Sequence, residues 1–431
     1  MNSMSRRQFL ATSTAGAVAA SNISLLLADS AANPDRKIRF GLIGCGWYGM
    51  VDVEAAFKVG GVEVQSICDV DADHLAQTAG KIEKLQGRRP QTFKRYEDLL
   101  QAGGIDAVIL ATPPHWHALP FIAALERGLD IYCEKPLAYD VREASAMVAA
   151  ARRHARIVQV GFQRRQSPAF KAVREYIQAG KLGRVVCVEA NIHYTAGTAD
   201  AKPQPPPAAL DWDLWCGPAP KIPYSPQVGH FNWRLEKTTG HGHLVDWGIH
   251  LVDATRFILG VGAPRSVTAA GGLFALKDKI TTPDVLTAQF DFEMCPLTWR
   301  HRIWGAEEFT PETSNGIFFY GDKGTVFVTD DRWILIPRGK NKEREVHEAQ
   351  ADTGKLHMAD FLEAVRTRRP ASCSIEEGCA TTTAVKLAMI AYETGSRVNW
   401  DSARETIPGN RAAARLLKRD YRAPWKHPHH G

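Results

Sequence analysis

The feature that most constrains the fold is a glycine-rich turn that follows a short apolar run. The run Ile38–Ile43 reads as a buried strand, and the turn Gly44-Cys45-Gly46-Trp47-Tyr48-Gly49 leads from it into a helical pattern. In such a strand–turn–helix the first glycine permits the tight turn, the second lets the backbone approach a pyrophosphate, and the third lets the helix lie close to the strand. The N–H groups and dipole of the helix N-terminus also favour phosphate oxygens. The turn therefore predicts a dinucleotide-binding domain.

A carboxylate stands where such domains hold the adenosine ribose. Asp69 follows Gly49 by 20 positions, at the end of the next apolar run, Val62–Cys68. A carboxylate there accepts hydrogen bonds from the ribose hydroxyls and repels a 2′-phosphate, so NAD is favoured over NADP. The alternative is that Asp69 only caps the helix predicted over 72–85.

Two patterns of apolar runs divide the chain into two domains. From 37 to 160, short apolar runs alternate with helix-length segments, which predicts a Rossmann domain with a doubly wound parallel α/β sheet. Asp140 is expected to cap the last of its helices, Val141–His154. From 161 to 400, strand-like runs follow one another without long helices between them. We therefore expect an α+β domain for substrate binding and oligomerisation, with a large, open, mainly antiparallel sheet.

The end of the chain is predicted to be helical and then irregular. Two helices, over 356–368 and 376–394, are expected to close the second domain. The tail 401–431 is basic from Lys418 onwards and is expected to lie on the surface.

The first residues indicate export. The pair Arg6-Arg7 precedes a mildly apolar stretch over 11–27, and the small residues Ser30-Ala31-Ala32 suggest a cleavage site. This pattern resembles a twin-arginine signal over 1–32 and predicts a periplasmic protein. The alternative is a disordered or anchoring N-terminus. No other segment reaches the roughly 18 uninterrupted apolar residues that a membrane span needs.

Charge and cysteine patterns exclude other classes of protein. The formal net charge of +6 is spread over short doublets such as Arg88-Arg89, without interleaved aromatic residues, so nucleic acid is not an expected partner. The eight cysteines form no Cys-x-x-Cys pair, which argues against a zinc knuckle or a thioredoxin-like motif. We expect them to be small buried hydrophobes, and no metal is predicted.

The motifs of both domains together resemble the Gfo/Idh/MocA oxidoreductase family. Besides the glycine turn, the motifs are Ala111-Thr112-Pro113-Pro114-His115-Trp116-His117, Glu134-Lys135-Pro136, Gly161-Phe162-Gln163-Arg164-Arg165, Trp233-Arg234 and the segment from Gly240 through Asp246 to His250. The resemblance spans roughly 37–400. It implies a Rossmann domain joined to an open-faced, mainly antiparallel domain, NAD as cofactor, and a dimer or tetramer of identical chains.

The segment around Asp246 carries two histidines and two aspartates. His243, Asp246, His250 and Asp253 recur at intervals of three, four and three, so they share one face if the segment is a helix. Taking hydride from a secondary alcohol requires a proton acceptor, for which a neutral imidazole is suited. The resemblance implies that His250 is this base, that Asp246 binds substrate or orients the relay, and that Lys135 lies between nicotinamide and substrate.

Two alternatives remain for this segment. A His/Asp face could hold a metal, but no typical zinc signature accompanies it. His243 and Asp253 could only cap the helix or form ion pairs. His241 stands among the family's usual glycines, and we assign it no role.

The resemblance also implies the residues that contact the cofactor. They are Gly44, Gly46, Trp47, Tyr48, Gly49, Asp69, Thr112, Pro113, His117, Glu134, Lys135, Arg164, Trp233 and Arg234. Pro114 stands where many members have Asn, which leaves the detail of these contacts open.

The first functional hypothesis is an NAD-dependent oxidoreductase that acts on a secondary hydroxyl or keto group of a sugar or polyol. Because NAD is scarce outside the cytoplasm, an exported enzyme is expected to hold it tightly. A second hypothesis is an NAD-retaining glycosidase or glycoside lyase that oxidises the sugar transiently and needs an additional base. A third is a non-catalytic sugar-binding protein, which the intact Lys135, Asp246 and His250 disfavour.

Overall fold

A computed structural model describes residues 36–306 and 314–429. The predicted export signal over 1–32 lies outside these residues, so the structure leaves it as a prediction. The eight cysteines are all described and none forms a disulfide; six are buried and two are half-buried, which confirms their predicted role as small apolar side chains.

The N-terminal domain is built on a parallel sheet of six strands. The strands are β1 (Ile38–Ile43), β2 (Val62–Cys68), β3 (Gln91–Phe93), β4 (Ala107–Leu110), β5 (Asp130–Cys133) and β6 (Val158–Val160). The helices between them are α1 (Trp47–Val59), α2 (Ala72–Gln86), α3 (Tyr96–Ala102), α4 (Ala118–Glu126) and α5 (Val141–His154). The spatial order is β3-β2-β1-β4-β5-β6. The predicted doubly wound fold is confirmed, and β4 and β5 are buried throughout because helices cover both faces.

This strand order opens a cleft at one edge of the sheet. The chain reverses its direction of winding between β1 and β4, so the loops that leave the carboxyl ends of these strands diverge. The glycine turn leaves β1, Ala111-Thr112 leaves β4, and Glu134-Lys135 leaves β5. The predicted motifs therefore meet at the same edge.

The second domain is built on a mixed sheet of nine strands among the described residues. They are β7 (Val185–His193), β8 (Ser266–Gly272), β9 (Val285–Asp291), β10 (Pro296–Arg302), β11 (Asn315–Gly321), β12 (Gly324–Val328), β13 (Arg332–Pro337), β14 (Glu345–Glu348) and β15 (Val398–Asn399). The helices that follow α5 are α6 (Pro168–Gln178), α7 (Trp212–Cys216), α8 (Ile249–Leu259), α9 (Thr353–Thr367), α10 (Ile375–Thr394) and α11 (Arg411–Arg415). The spatial order is β14-β13-β12-β11-β7-β10-β9-β8-β15. β7 and β10 run parallel and the other pairs are antiparallel, which confirms the mainly antiparallel sheet.

Two segments late in the chain pack back onto the first domain. α9 shares a core with β1, where Phe361 lies 6.3 Å from Phe40 between ring centroids. The tail was expected on the surface, but Arg419 is largely buried and its guanidinium lies 2.8 Å from the fully buried Glu143 carboxylate. A buried carboxylate is stabilised by a charged partner, and this partner comes from a distant part of the chain.

The predicted N-cap of α5 is confirmed. Asp140 caps α5 in a capping box: its side chain accepts a hydrogen bond from Glu143 N, and the Glu143 carboxylate accepts one from Asp140 N. The short strands β3, β14 and β15 were not predicted, because runs of two to four residues carry little periodicity.

Candidate active site

The glycine turn has the geometry that a pyrophosphate requires. Gly44 has φ +98°, and a Cβ there would lie 2.7 Å from the backbone of Ala111 and Thr112. A Cβ on Gly49 would lie 2.1 Å from Gly44 O, whereas a Cβ on Gly46 would meet no heavy atom within 4 Å. The open space over Gly46, together with a buried Thr112 Oγ1 that has no partner, fits the phosphates and ribose of a dinucleotide.

Asp69 is anchored beside this turn and does not cap α2. Its carboxylate accepts from Cys45 N at 2.7 Å and from Asp71 N at 2.9 Å. The N-cap of α2 is Asp71, whose Oδ1 accepts from Asp73 N and His74 N. The capping alternative considered for Asp69 is therefore wrong, and its carboxylate lines the cleft.

A cavity of about 280 Å³ runs along the cleft between the two domains. Nine of the predicted cofactor residues line it: Gly44, Gly46, Trp47, Tyr48, Asp69, Thr112, Pro113, Trp233 and Arg234. Its lining also includes aromatic and basic residues that sequence reasoning missed: His74, Lys94, Arg95, Tyr96, Trp116, Trp215, His230 and Phe231. Trp116 lies within the motif that begins at Ala111 but was not predicted to contact the cofactor, and the other residues belong to none of the motifs identified in the sequence.

One wall of the cavity is a segment of the second domain, residues 195–235, which we call the strap. The strap forms backbone bonds with the first domain, from Ala72 N to Ala209 O at 3.0 Å and from Asp211 N to Val70 O at 3.1 Å. Lys94 Nζ lies 2.6 Å from the Asp211 carboxylate. Two domains thus enclose the adenosine side of the cleft.

Lys135 and Asp246 form an ion pair that is largely shielded from solvent. Lys135 Nζ donates to Asp246 Oδ1 and to Asp246 O, both at 2.8 Å, and the two side chains are 12% and 8% exposed. Arg234 Nε lies 3.3 Å from the other carboxylate oxygen. Burial alone would raise the pKa of Asp246, but the charges of Lys135 and Arg234 hold it below its ordinary value, so the carboxylate is ionised.

His250 is a buried imidazole with a free nitrogen. The residue as a whole is 8% exposed, and its Nδ1 has no hydrogen-bond partner. Burial, with smaller contributions from the charges of Lys135 and Arg164, holds the pKa of His250 well below its usual value. The imidazole is therefore neutral and able to accept a proton.

The four residues expected on one helical face diverge. A π-helical turn, Leu244–Gly248, precedes α8, and its wider spacing breaks the predicted periodicity. The Asp253 carboxylate accepts from Arg165 Nε and Nη2 at 2.7 Å, so Asp253 forms an ion pair, as the alternative interpretation of this segment predicted. His243 does neither: it is 1% exposed, both ring nitrogens lack partners, and its ring packs 4.6 Å from that of Tyr194.

His241 is engaged in a separate buried cluster. It has φ +69°, its Nε2 lies 2.8 Å from Glu393 Oε1, and its Nδ1 lies 3.1 Å from Lys386 Nζ. Burial lowers the pKa of Lys386 to about 7. These contacts hold the His241 ring between Glu393 and Lys386.

Two of the remaining predicted cofactor residues, His117 and Glu134, form hydrogen bonds within the protein. His117 bridges Pro136 O at 2.9 Å and Thr112 O at 2.7 Å, so both ring nitrogens are engaged with the backbone. Glu134 accepts from Gln163 at 2.7 Å, and burial raises its pKa to about 7.

Arg164 has one free nitrogen in the same region. Its Nη2 lies 3.1 Å from the Asp330 carboxylate, while Nη1 is buried without a partner. Of the predicted cofactor residues, Gly49, His117, Glu134, Lys135 and Arg164 are not part of the cavity lining.

The fold and this cleft define a two-domain dinucleotide-binding protein of the oxidoreductase type. The chain belongs to the Gfo/Idh/MocA family: residues 38–162 match its "Oxidoreductase family, NAD-binding Rossmann fold" model and residues 170–427 its "C-terminal alpha/beta domain" model. The cofactor of the N-terminal domain is NAD. Among 36–306 and 314–429, no helix is both long and apolar enough to cross a membrane.

The chain is similar to proteins named for rhizopine catabolism and for inositol dehydrogenation. The chain is 29% identical to the rhizopine catabolism protein MocA of Rhizobium meliloti over 225 residues, 52% of this chain and 58% of that protein. It is 33% identical to inositol 2-dehydrogenase 3 of Saccharopolyspora erythraea over 159 residues, 36% of this chain and 45% of that protein. The matches thus span about half the length of these relatives.

Solved structures share the fold. A levoglucosan dehydrogenase in complex with NADH and levoglucosan matches with a TM-score of 0.67 at 18% identity, over 84% of this chain and 99% of that one. An oxidoreductase from Agrobacterium radiobacter, in complex with NAD+, L-tartaric acid and magnesium, matches with a TM-score of 0.67 at 19% identity, over 84% and 98%.

Proposed function

We propose that the protein is an NAD-dependent oxidoreductase that acts on a secondary hydroxyl or keto group of a sugar, polyol or derivative. The observation that carries this proposal is a neutral His250, whose Nδ1 has no hydrogen-bond partner, close enough to the Lys135–Asp246 ion pair for the Lys135 charge to lower its pKa. The names of the relatives, inositol 2-dehydrogenase and levoglucosan dehydrogenase, support a neutral polyhydroxy substrate.

The chain's own residues supply binding and proton transfer. Bound NAD would supply the hydride acceptor. His250 accepts the hydroxyl proton through a neutral nitrogen, and the Lys135 ammonium, held by Asp246, donates a hydrogen bond to the same oxygen. Arg234 is already engaged with Asp246, and Arg164 with Asp330, so neither guanidinium is wholly available to a substrate anion.

We further propose that NAD is retained through many turnovers. The strap closes the adenosine side of the cleft through backbone bonds, an ion pair and the Trp116 indole N–H, which donates to Leu214 O at 3.0 Å. Retention also suits the proposed twin-arginine export, because free NAD is scarce in the periplasm. A retained cofactor must be returned to its starting state by a second substrate or within one reaction.

His243 favours a second candidate, a glycosidase or glycoside lyase in which the sugar is oxidised transiently. That chemistry needs an additional base, and His243 offers two unpartnered nitrogens close enough to Asp246 and Lys135 for their charges to influence it. Burial holds the pKa of His243 well below its usual value, so this imidazole is neutral as well.

One experiment tests both candidates. Nucleotide is released with acid from the purified protein and identified, and sugars, polyols and aryl glycosides are then assayed with and without added NAD. Net NADH formation supports the dehydrogenase, whereas glycoside cleavage without net NADH supports the second candidate. A protein that holds no nucleotide, and neither binds nor uses added NAD, contradicts both.

Variants test the roles of the residues. We expect His250→Ala and Lys135→Ala to lower kcat by about 10²–10⁴-fold while bound NAD is retained. His154→Ala, a half-exposed histidine at the end of α5, and Lys171→Ala serve as controls and are expected to behave as wild type. Unchanged turnover in either test variant removes that residue from the mechanism.

Export and assembly remain proposals with their own tests. Replacement of both Arg6 and Arg7 by Lys is expected to leave the protein in the cytoplasm, as measured by cell fractionation. A dimer or tetramer is expected from light scattering of the purified protein, and a monomer at micromolar concentration would contradict it.

A further inference from the structure

Three potential metal ligands from two domains meet at the mouth of the NAD cavity. Asp71 and His74 belong to the start of α2, and His230 belongs to the strap. One ligand atom from each of the three lies within 4.8 Å of the other two. His230 Nε2 is 2.8 Å from Asp71 Oδ2, and the rings of His74 and His230 are 4.1 Å apart between centroids.

The carboxylate of this group is already fixed in position. Asp71 is 4% exposed, and its Oδ1 accepts from Asp73 N at 2.8 Å and from His74 N at 3.1 Å. These two bonds leave Oδ2 as the oxygen that faces the imidazoles. The carboxylate ligand is therefore held by the helix cap before any ion arrives.

The imidazoles can adjust at small cost. His74 is half-buried, and within the described ranges its ring forms no hydrogen bond. Zinc binds imidazole nitrogen and carboxylate oxygen at about 2.0–2.2 Å, which separates the ligand atoms of a tetrahedral site by roughly 3.3 Å. The 2.8 Å contact between His230 Nε2 and Asp71 Oδ2 therefore has to open slightly, and no ligand atom lies more than 4.8 Å from the other two. Two imidazoles and one carboxylate favour zinc and neighbouring transition metals over Mg²⁺ or Ca²⁺, which take oxygen ligands.

We propose that Asp71, His74 and His230 form a transition-metal site of the zinc type that fastens the strap to the N-terminal domain. His230 is the only ligand of the three on the strap, so coordination joins the two domains at the adenosine end of the cavity. The proposal does not depend on the reaction that the protein catalyses.

The other group of this kind among the described residues has a different explanation. Asp140, Glu143 and His427 also lie within 4.8 Å of one another. However, the Arg419 guanidinium lies 2.8 Å from Glu143 Oε1, and the Tyr421 hydroxyl donates to the same oxygen at 2.8 Å. Glu143 Oε1 is therefore already held by a cation and a hydroxyl donor within the chain.

Metal binding to the full-length protein, purified without a histidine tag, tests the proposal. All proteins carry His429→Ala and His430→Ala, because histidines near the C-terminus would bind zinc themselves. After treatment with chelator, Zn²⁺ is titrated calorimetrically, and the bound metal is counted after gel filtration. Co²⁺ gives an independent readout through the visible absorption of a four-coordinate site.

The variants separate coordination from an ordinary His–Asp ion pair. His74→Phe keeps a ring against His230 and leaves the His230–Asp71 contact intact, but it removes one ligand. His347→Phe is the matched control, because His347 is also a partly exposed histidine stacked on a ring, that of Trp333, and lies 3.8 Å from the Glu345 carboxylate.

We expect one equivalent of Zn²⁺ in the parent and in His347→Phe, and at least tenfold weaker binding in His74→Phe and His230→Ala. We also expect Zn²⁺, but not Mg²⁺, to raise the thermal unfolding midpoint of the parent. No retained zinc in the parent, or equal zinc binding in His74→Phe and the parent, would overturn the proposal. Far-UV circular dichroism confirms that each variant is folded.

Discussion

At the scale of single residues, the site depends on charges that burial alone would disfavour. Lys135 and Asp246 are almost removed from solvent, and the charges of Lys135 and Arg234 hold the pKa of Asp246 below its ordinary value in spite of its burial. The neighbouring histidines differ, because among the described residues neither forms a hydrogen bond with a carboxylate. Burial lowers the pKa of His243 and of His250, so both imidazoles are neutral. A fixed ion pair and a neutral base are thereby placed side by side.

Removal of the Asp246 charge tests this arrangement. Asp246→Asn keeps the volume of the side chain but leaves the Lys135 ammonium without its anionic partner. We expect kcat to fall by about 10²–10⁴-fold while bound NAD is unchanged. Steady-state kinetics and nucleotide release measure the two effects. Asp291→Asn, a partly exposed carboxylate paired with Arg265, is the control and should retain full activity.

The protonation of His357 predicts a pH dependence of stability. Burial lowers its pKa to about 4, although its Nε2 lies 2.9 Å from Val160 O, whereas the unfolded chain has a histidine pKa near 6.5. Between these values the unfolded state binds the additional proton, so this histidine lowers the free energy of unfolding as pH falls from 7 to 5, by about 2 kcal/mol.

The variant His357→Gln should lose this contribution. Urea unfolding at pH 7 and pH 5 is expected to show a decrease that is about 2 kcal/mol smaller in the variant than in wild type. Equal decreases in both proteins would show that His357 is not kept neutral by burial.

At the scale of elements, the strap and the π-helical turn shape the cleft. The π-helical turn positions Asp246 beside Lys135, and aromatic side chains of the strap line the adenosine side of the cavity. Gly217, at the end of α7, has φ +51° and approaches Trp116 so closely that a Cβ would lie 2.2 Å from its ring. This contact requires glycine for both its conformation and its size.

The variant Gly217→Ala is expected to displace the strap from Trp116 and to open the cavity. We expect bound NAD to dissociate about tenfold faster, a loss of roughly 1.4 kcal/mol. Release is measured by chasing labelled NAD with an excess of unlabelled NAD. Gly197→Ala lies on the same strap, where a Cβ meets no atom within 4 Å, and it should release NAD at the wild-type rate. Equal rates in the two variants would argue against closure by the strap.

At the scale of the whole molecule, the two domains are held together by segments from the far end of the chain. α9 completes the core of the first domain, and the tail reaches back to α5 and to the strap, where Arg422 Nη1 lies 2.9 Å from the Asp213 carboxylate. Arg419 is central to this attachment, because it pairs with Glu143 and donates to His115 O at 2.8 Å. The tail is therefore part of the folded structure.

Loss of the Arg419 charge should destabilise the whole protein. Arg419→Met leaves the fully buried Glu143 without its cation, which is expected to lower the free energy of unfolding by about 3–5 kcal/mol. Arg415→Met, an exposed arginine on α11, should change it by less than about 0.5 kcal/mol. Urea unfolding provides the comparison, and a similar small effect in both variants would contradict a structural role for the tail.

The sequence by itself determined the features that depend on short-range rules. The glycine turn, the carboxylate of Asp69 and the capping box of Asp140 each depend on residues that are close in the chain, and the alternation of apolar runs predicted both sheets. The family resemblance added Lys135, Asp246 and His250 as a group, although no spacing rule connects residues that are 111 positions apart.

The tertiary structure decided what distant segments do to one another. The regular spacing from His243 to Asp253 predicted one helical face, but packing imposed a π-helical turn that sends Asp253 to Arg165 and Asp246 to Lys135. The strap and the Asp71–His74–His230 group join residues that no periodicity links, and the sequence predicted no metal. Local rules act over a few residues, whereas burial and charge pairing act on whatever the completed fold brings together.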